Sequence, residues 1–251
     1  MANPSTLLID ADILLYKAAS SVENEVEFEE DIWVLWTDEN EAVEAFNMQV
    51  ANLLEQANTY SYLLCFSGSL NFRKDLFPDY KGNRKQRKPM GFAAIRKRLL
   101  LENLKKVFTL PESEADDCLG ILATQKPDKF IIWSADKDLK QIPGRHLVDG
   151  KIVTVSQEDA DLMFYTQVLT GDVTDNYKGC PGIGPVKAAS ILLDKKTDAD
   201  MWTRIVGAYT KAGLTEEDAL LNARLARILR TEDWDYENER HKLWTPNTPS
   251  K

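Results

Sequence analysis

Eight carboxylates in this chain sit where a folded protein could use them for chemistry. Asp10 closes the apolar run TLLI (6–9), Glu114, Asp116 and Asp117 open a helical stretch in SEADDCLG, Asp136 and Asp138 follow IIWSA, and Asp172 and Asp175 stand in TGDVTDN. Ligands of an open α/β sheet bind beyond the carboxyl ends of its strands, so Asp10 and Asp136 would meet there if their strands are neighbours. Acids gathered at that density hold one another partly protonated. A divalent cation removes the conflict, and oxygen-only donors favour Mg2+ or Mn2+ over zinc. Each group alone also fits a plainer role. Asp116 and Asp117 could be acids complementing a helix dipole, Asp136 and Asp138 loop formers, and Asp172 and Asp175 turn residues or caps. Their joint occurrence with two further features points to phosphate chemistry.

The first feature is a segment of opposite charge. The chain carries a net −9, yet residues 73–106 hold twelve Lys and Arg against three acids. That segment is +9 and the remainder −18, so one basic element projects from an acidic protein. Its cations, among them Arg73, Lys81, Arg84, Arg87 and Lys88, are interleaved with Phe72, Phe77, Tyr80 and Phe92. Phosphate pairing combined with base stacking suits single-stranded DNA; the plainer alternative is a solvated basic loop.

The second is KGCPGIGPVKAASIL (178–192). Gly182 and Gly184 can take positive φ and let a phosphate approach the backbone, Pro185 suits the first helical turn, and Lys187 follows one turn in. A helix N-terminus with free N–H groups is a phosphate site, so the segment reads as a helix–hairpin–helix that grips nucleic-acid backbone without reading bases. A plain helix–turn–helix connection is the alternative.

The elements that must carry these residues alternate and then change type. TLLI, Tyr62–Phe66 and KFIIWSA (129–135) read as core strands, IWVLW (32–36) has strand propensity within an acidic stretch (22–44) that otherwise suits a solvated face or loop, and Asp149-Gly150 suits a hairpin turn. Helical spacing covers 41–56, 92–107 and 114–124, then about 157–170, 185–194, 199–211 and 215–230. This predicts an α/β domain over 1–156, with the basic arm at about 73–106, and a helical region over 157–251. No run of 18 apolar residues suggests a membrane span, and the N-terminus does not read as a signal peptide. Cys65, Cys118 and Cys180 are far apart without a CxxC pair, and the only histidines are His146 and His241. A disulfide framework, zinc site or His-pair mechanism is therefore disfavoured, and a reducing cytoplasm is expected.

LLIDAD, DYKGNRK, SEADD, SADKD and GDVTDNYKGCPGIG, in this order, resemble the 5′ nuclease superfamily of flap endonucleases and polymerase-linked 5′ exonucleases. The similarity is strongest to the 5′→3′ exonucleases of short-tailed lytic bacteriophages, and it spans nearly the whole chain. The resemblance implies a PIN-like, mixed but mainly parallel sheet between helices, with a basic helical arch over the site. It also implies a C-terminal helix–hairpin–helix, or helix–three-turn–helix. Asp10, Glu114, Asp116 and Asp117 match the acids of a first metal ion, and Asp136, Asp138, Asp172 and Asp175 those around a second. Lys81 and Arg84 match arch cations that contact the scissile phosphate, with Tyr80 the aromatic beside them. Residues 179–184 match the hairpin that holds duplex DNA and whose carbonyls can bind K+.

One departure stands out. The family places an Asp at the end of the second core strand, where this chain has Ser67 and Gly68. Water could replace that ligand, Asp75 could substitute, or the chain could be a weakened variant. The implied function is a two-metal, Mg2+- or Mn2+-dependent 5′→3′ exonuclease, also acting on 5′ flaps and RNA primers, in phage replication or recombination. Its partners would be double-stranded DNA with 5′ ends or flaps, single-stranded DNA and RNA–DNA hybrid, bound by a monomer in the host cytoplasm. The alternatives are a PIN-type ribonuclease, which needs neither arch nor hairpin, and a catalytically weakened DNA-junction binding protein.

Overall fold

The computed structural model of the chain describes residues 5–85, 87–193 and 197–246. TLLID forms β1 (Thr6–Asp10), buried throughout. It passes directly into α1 (Ala11–Ser21) because Asp10 is also the N-cap, its carboxylate accepting the Ile13 N–H at 3.1 Å. The acidic stretch that follows is a two-stranded antiparallel ribbon, β2 (Glu23–Glu29) and β3 (Ile32–Thr37). The strand propensity of IWVLW is realised, but the acids before it are not in a loop. They alternate along β2 with Asn24, Val26 and Phe28, and the ribbon stands in solvent with Phe28 72% exposed.

Next come α2 (Glu39–Gln56), β4 (Ser61–Cys65), the single turn α3 (Arg73–Leu76), α4 (Phe92–Glu102), β5 (Val107–Phe108), α5 (Ala115–Gln125), β6 (Phe130–Trp133), β7 (Gly144–Val148) and β8 (Lys151–Val155). The sheet order is β5-β4-β1-β6-β7-β8, parallel except for the β7–β8 hairpin. That hairpin turns at Asp149 and Gly150, both at positive φ (48° and 73°), as an Asp-Gly turn should. Strand alternation divides the core. Leu7, Ile9, Leu64 and Ile131 face α1, α2 and α4, whereas Leu8, Cys65 and Ile132 face α5. Because β1, β4 and β6 run parallel, their carboxyl ends share one edge, and Ser134 after β6 donates to Asp10 at the end of β1 at 2.8 Å.

The expected helical arch is corrected. Among the described residues of the basic segment only α3 and α4 are helical, and α4 lies on the core through Phe92, Ile95 and Leu99. Between them the described residues run in turns and irregular chain, as Pro78, Gly82, Pro89 and Gly91 dictate by breaking helical continuation.

The helical region comprises α6 (Gln157–Thr170), α7 (Pro185–Leu192), α8 (Asp198–Lys211) and α9 (Glu216–Ala226), around a core that includes Phe164, Tyr165, Trp202 and Tyr209. α9 ends at Ala226, not near 230. Residues 227–230 run back against the sheet domain, where Ile228 joins the core beside α5 and Leu229 packs near Ile121. Gly120 permits this passage, since a Cβ there would lie 2.3 Å from the Leu229 carbonyl. A short pair, β9 (Trp234–Asp235) and β10 (Arg240–His241), follows. Among the described residues no helix is long and apolar enough to cross a membrane.

Candidate active site

A cavity of about 340 Å3 opens where the carboxyl edge of the sheet meets α6 and the basic segment. Glu114, Asp116, Asp136, Asp138, Asp172 and Asp175 line it together with Tyr80, Lys81 and Arg84. Three separate stretches of chain therefore deliver acid to one place. Asp10 lies behind them at the end of β1, 2% exposed.

The charges within this cleft are unevenly compensated. Lys81 is ion-paired with Glu114 and lies 3.6 Å from Asp175, and Arg84 Nη2 is 2.8 Å from Asp175. The Tyr80 hydroxyl donates to Asp175 at 2.8 Å and to Glu114 at 3.1 Å. Burial would push the Glu114 carboxyl up, but Lys81 and Arg73 outweigh it and hold the pKa at about 2. On the far side the balance reverses. Burial, reinforced by Asp12 and Asp136, pushes Asp10 up to about 7 against the bonds from Ile13 and Ser134. Burial and the neighbouring Asp10 and Glu114 raise Asp116 well above the carboxylate range. Burial and Asp136 raise Asp138 to about 6, against the Gln167 amide.

This donor set suits a divalent cation. It is all oxygen, and Asp10, Asp116 and Asp138 are the acids whose ionisation is least compensated by neighbouring cations. Among the described residues no three acids close on a common point by themselves. Lys81 and Arg84 hold Glu114 and Asp175 on one side, so the carboxylates line the cleft as a spread set.

Two expected site residues are committed to partners within the fold. Asp117 is fully buried and grips Arg73 bidentately, both Nη atoms at 2.8 Å, while also accepting from Glu114 N–H and Leu229 N–H. Successive helical residues point about 100° apart, so Asp116 faces the cleft and Asp117 faces inward. Arg73 is 2% exposed and also donates to the Leu225 and Arg227 carbonyls. It therefore anchors the end of α9 to α5, and at the cleft wall it lies 3.4 Å from Glu114. Tyr80 is likewise buried, holding two carboxylates where a stacking platform was expected.

Residues 5–172 match the family model described as 5′-3′ exonuclease, N-terminal resolvase-like domain. The chain belongs to this 5′-3′ exonuclease family. It is 30% identical to the exodeoxyribonuclease of Enterobacteria phage T3 over 96% of the chain and 93% of that protein. It is 29% identical to the exonuclease of Escherichia phage T7, with the same coverage. In fold it is similar to the bacteriophage T5 5′-exonuclease, with a TM-score of 0.61 at 15% identity over 89% of this chain and 88% of that one. A T5 flap endonuclease solved as a pseudo-enzyme–product complex with DNA and metal ions is equally similar, with a TM-score of 0.61, 16% identity and 88% of each chain covered.

For a member of the 5′-3′ exonuclease family, the surroundings of Ser67 and Gly68 are informative. A Cβ on Gly68 would lie 2.7 Å from the Leu110 carbonyl, leaving no room for a side chain. Ser67 Oγ accepts the Ala115 N–H at 3.0 Å, and Ser67 N–H donates to Asp12 Oδ2 at 2.8 Å. Asp75 is exposed on α3 and does not line the cleft. The acid beside the gap is Asp12, whose signal in the sequence was its two-residue spacing from Asp10. Gln167 was missed as well. Its amide bridges Asp138 at 2.9 Å and Asp172 at 3.2 Å and is itself met by Gln141. A glutamine between Phe164 and Val168 on an otherwise buried helical face is the clue that was available.

In the segment 178–192, Gly182 has φ 71° but Gly184 has φ −101° and is the residue preceding α7, with Pro185 at its first turn. The expectation of positive φ thus fails at Gly184. A Cβ at either glycine would meet nothing within 4 Å, so both face open space. Gly179 (φ 62°) serves packing, since a Cβ there would lie 2.3 Å from Gly171 N. Lys187 Nζ donates to the Gly182 carbonyl at 2.8 Å. Arg204 and Lys211 of α8 join Lys187 along an adjoining groove of about 500 Å3. Arg87 lies away from the cleft, paired with Glu23, and Lys88 sits 4.9 Å from the Phe92 ring.

Proposed function

We propose that this cleft hydrolyses phosphodiester bonds of DNA from 5′ ends in the 5′→3′ direction, as a divalent-metal-dependent exonuclease that also acts at 5′ flaps and on RNA primers. The observation that carries the reading is the gathering of six carboxylates from three chain segments around Lys81 and Arg84 in one cavity. The similarity to the T3 exodeoxyribonuclease and the T7 exonuclease supports it. Asp10, Glu114 and Asp116 would hold one Mg2+ or Mn2+, and Asp136, Asp138, Asp172 and Asp175 a second; Asp117 contributes by fixing Arg73 and the start of α5. When bound, such ions activate water and neutralise the leaving oxygen. The protein's own part is to orient and compensate charge. Lys81 and Arg84 exchange their carboxylate partners for the scissile phosphate and stabilise the charge that develops there, Tyr80 keeps Glu114 and Asp175 in place, and Gln167 fixes Asp138 relative to Asp172.

Residues 1–156 form the catalytic part in this reading, and 157–251 the duplex-binding part. Segment 178–192 serves as a helix–hairpin–helix that presents Gly182, Gly184 and Lys187 to the backbone. A K+ at the hairpin carbonyls would compete with Lys187 for Gly182. Double-stranded DNA with a 5′ end or flap is the main substrate, single-stranded DNA follows the basic segment, and an RNA–DNA hybrid fits the same phosphate contacts. The protein acts as a monomer in the cytoplasm of a phage host. A time course on 5′-labelled flapped duplex, with Mg2+ and with chelator, tests this. Metal-dependent release of short 5′ products is expected. Preference for RNA would support a PIN-type ribonuclease instead, and tight binding without product in either Mg2+ or Mn2+ a DNA-junction binding protein.

A further inference from the structure

A second cavity, of about 540 Å3, lies on the other side of Arg84 from the carboxylate cleft, and Arg84 lines both. Its character is the reverse of the cleft's. Three cations, Arg84, Lys88 and Arg96, line it with the rings of Tyr16 and Phe92, and Asp12 is its single carboxylate. Asp12 is already engaged, accepting from Ser67 N–H at 2.8 Å and lying 3.5 Å from Arg96 Nε. Its volume falls in the range of small-molecule sites, roughly 300–1,000 Å3.

Arg96 is held ready. Its Nη2 donates to the Ser67 carbonyl at 2.6 Å, and its guanidinium lies 5.2 Å from the Phe66 ring. A cation fixed before its ligand arrives loses little side-chain entropy on binding. The rings of Tyr16 and Phe92, 6.5 Å apart and tilted, offer an apolar wall for a base. The floor at Ser67-Gly68 is the place where a side chain at 68 would strike the Leu110 carbonyl. The departure from the family pattern therefore borders this cavity.

We infer that this cavity binds the 5′-terminal nucleotide of the substrate, with its terminal phosphate held by Arg96 and Lys88 and its base against Tyr16 and Phe92. Arg84 then marks the boundary between that nucleotide and the scissile phosphate. The inference rests on the reading of the cleft as a 5′ nuclease site and adds the group by which a terminus is sensed.

The test uses the full-length protein on two blunt duplexes identical except for a 5′-phosphate or a 5′-hydroxyl, with KM and kcat measured separately. The phosphorylated end is expected to have a KM lower by about tenfold, the worth of a charge-assisted contact of roughly 1.5 kcal/mol. Arg96→Gln should bring the ratio of the two KM values close to one, and Arg96→Lys should restore part of it. Because the ratio comes from one preparation, an inactive fraction cancels. Should Arg96→Gln fail to fold, Lys88→Gln, at an exposed position, should reduce the ratio by half or more. Equal KM values in the wild type, or a ratio that survives these substitutions, would overturn the inference while leaving the 5′ nuclease reading intact. Cleavage of neither end would remove both.

Discussion

Asp116 and Asp117 are neighbours in the first turn of α5, the one half-buried at the cleft and the other fully buried, and the protein treats them in opposite ways. Asp117 has a permanent countercharge in the buried Arg73 guanidinium, with two backbone N–H donors besides. Asp116 is surrounded by the charges of Asp10, Glu114 and Asp136, with Lys81 alone opposing them. A buried ion pair with all its hydrogen bonds made fixes geometry. A buried acid without a committed partner strains the fold and is tolerated where an incoming cation will use it. The difference separates the part of the acidic motif that builds the protein from the part that serves the reaction.

The largest expected effect comes from removing the uncommitted acid. Asp116→Asn should lower the single-turnover cleavage rate by on the order of 10³-fold, since stabilisation of several kcal/mol depends on the metal it would hold. The same change should raise the melting temperature in chelator, because it removes a charge that burial disfavours. A variant that cleaves at the wild-type rate would erase the distinction. The converse holds for its neighbour. Asp117→Asn strands Arg73 and should destabilise the protein by about 3–5 kcal/mol in urea titrations, while the rate per folded molecule falls less than for Asp116→Asn. Wild-type stability in that variant would show that the Arg73 pair is not what anchors α5.

This contrast also marks the limit of what could be read from sequence. The central strands were readable because TLLI, Tyr62–Phe66 and FIIW are apolar runs of strand length, and the Asp-Gly turn because few dipeptides suit two positive φ values. Convergence of Asp10 with Asp136 followed from parallel strands sharing an edge. Which member of SEADD faces the cleft did not follow, because it depends on Arg73, 44 residues before Asp117, and on a return of the chain at 227–230 that helical periodicity placed inside α9. The basic segment misled for a related reason. Its charges are plain in the sequence, but Arg73 is consumed by the core and Arg87 by Glu23, and composition does not reveal partners. Gln167 and Asp12 act through neighbours brought near by the fold.

Metal removal sharpens the comparison without mutation. Mg2+ should raise the melting temperature of the wild type, because it relieves repulsion among Asp10, Asp116 and Asp138; differential scanning fluorimetry in Mg2+ and in chelator measures this. The gain should shrink in Asp116→Asn and persist in Asp12→Asn, whose carboxylate already has Ser67 and Arg96 as partners. An equal gain in Asp116→Asn would place the ion elsewhere.

The smallest effect tests whether the same division holds for cations. Arg73 is committed to Asp117, whereas the Arg84 side chain is 51% exposed and touches Asp175 at the lip of the cleft. Surface pairs of this kind contribute about 0–1 kcal/mol to stability, so Arg84→Ala should leave the urea midpoint almost unmoved. Its effect should appear with DNA. Losing one phosphate contact reduces the slope of log affinity against log salt by about one, and the weakened phosphate positioning should raise KM more than it lowers kcat. Lys81, whose side chain is 16% exposed and lies between Glu114 and Asp175, should show the reverse ordering, with kcat falling first. If Arg84→Ala instead lowered stability as Asp117→Asn does, Arg84 would belong with Arg73 among the cations that build the fold, and Lys81 alone would remain to meet the phosphate.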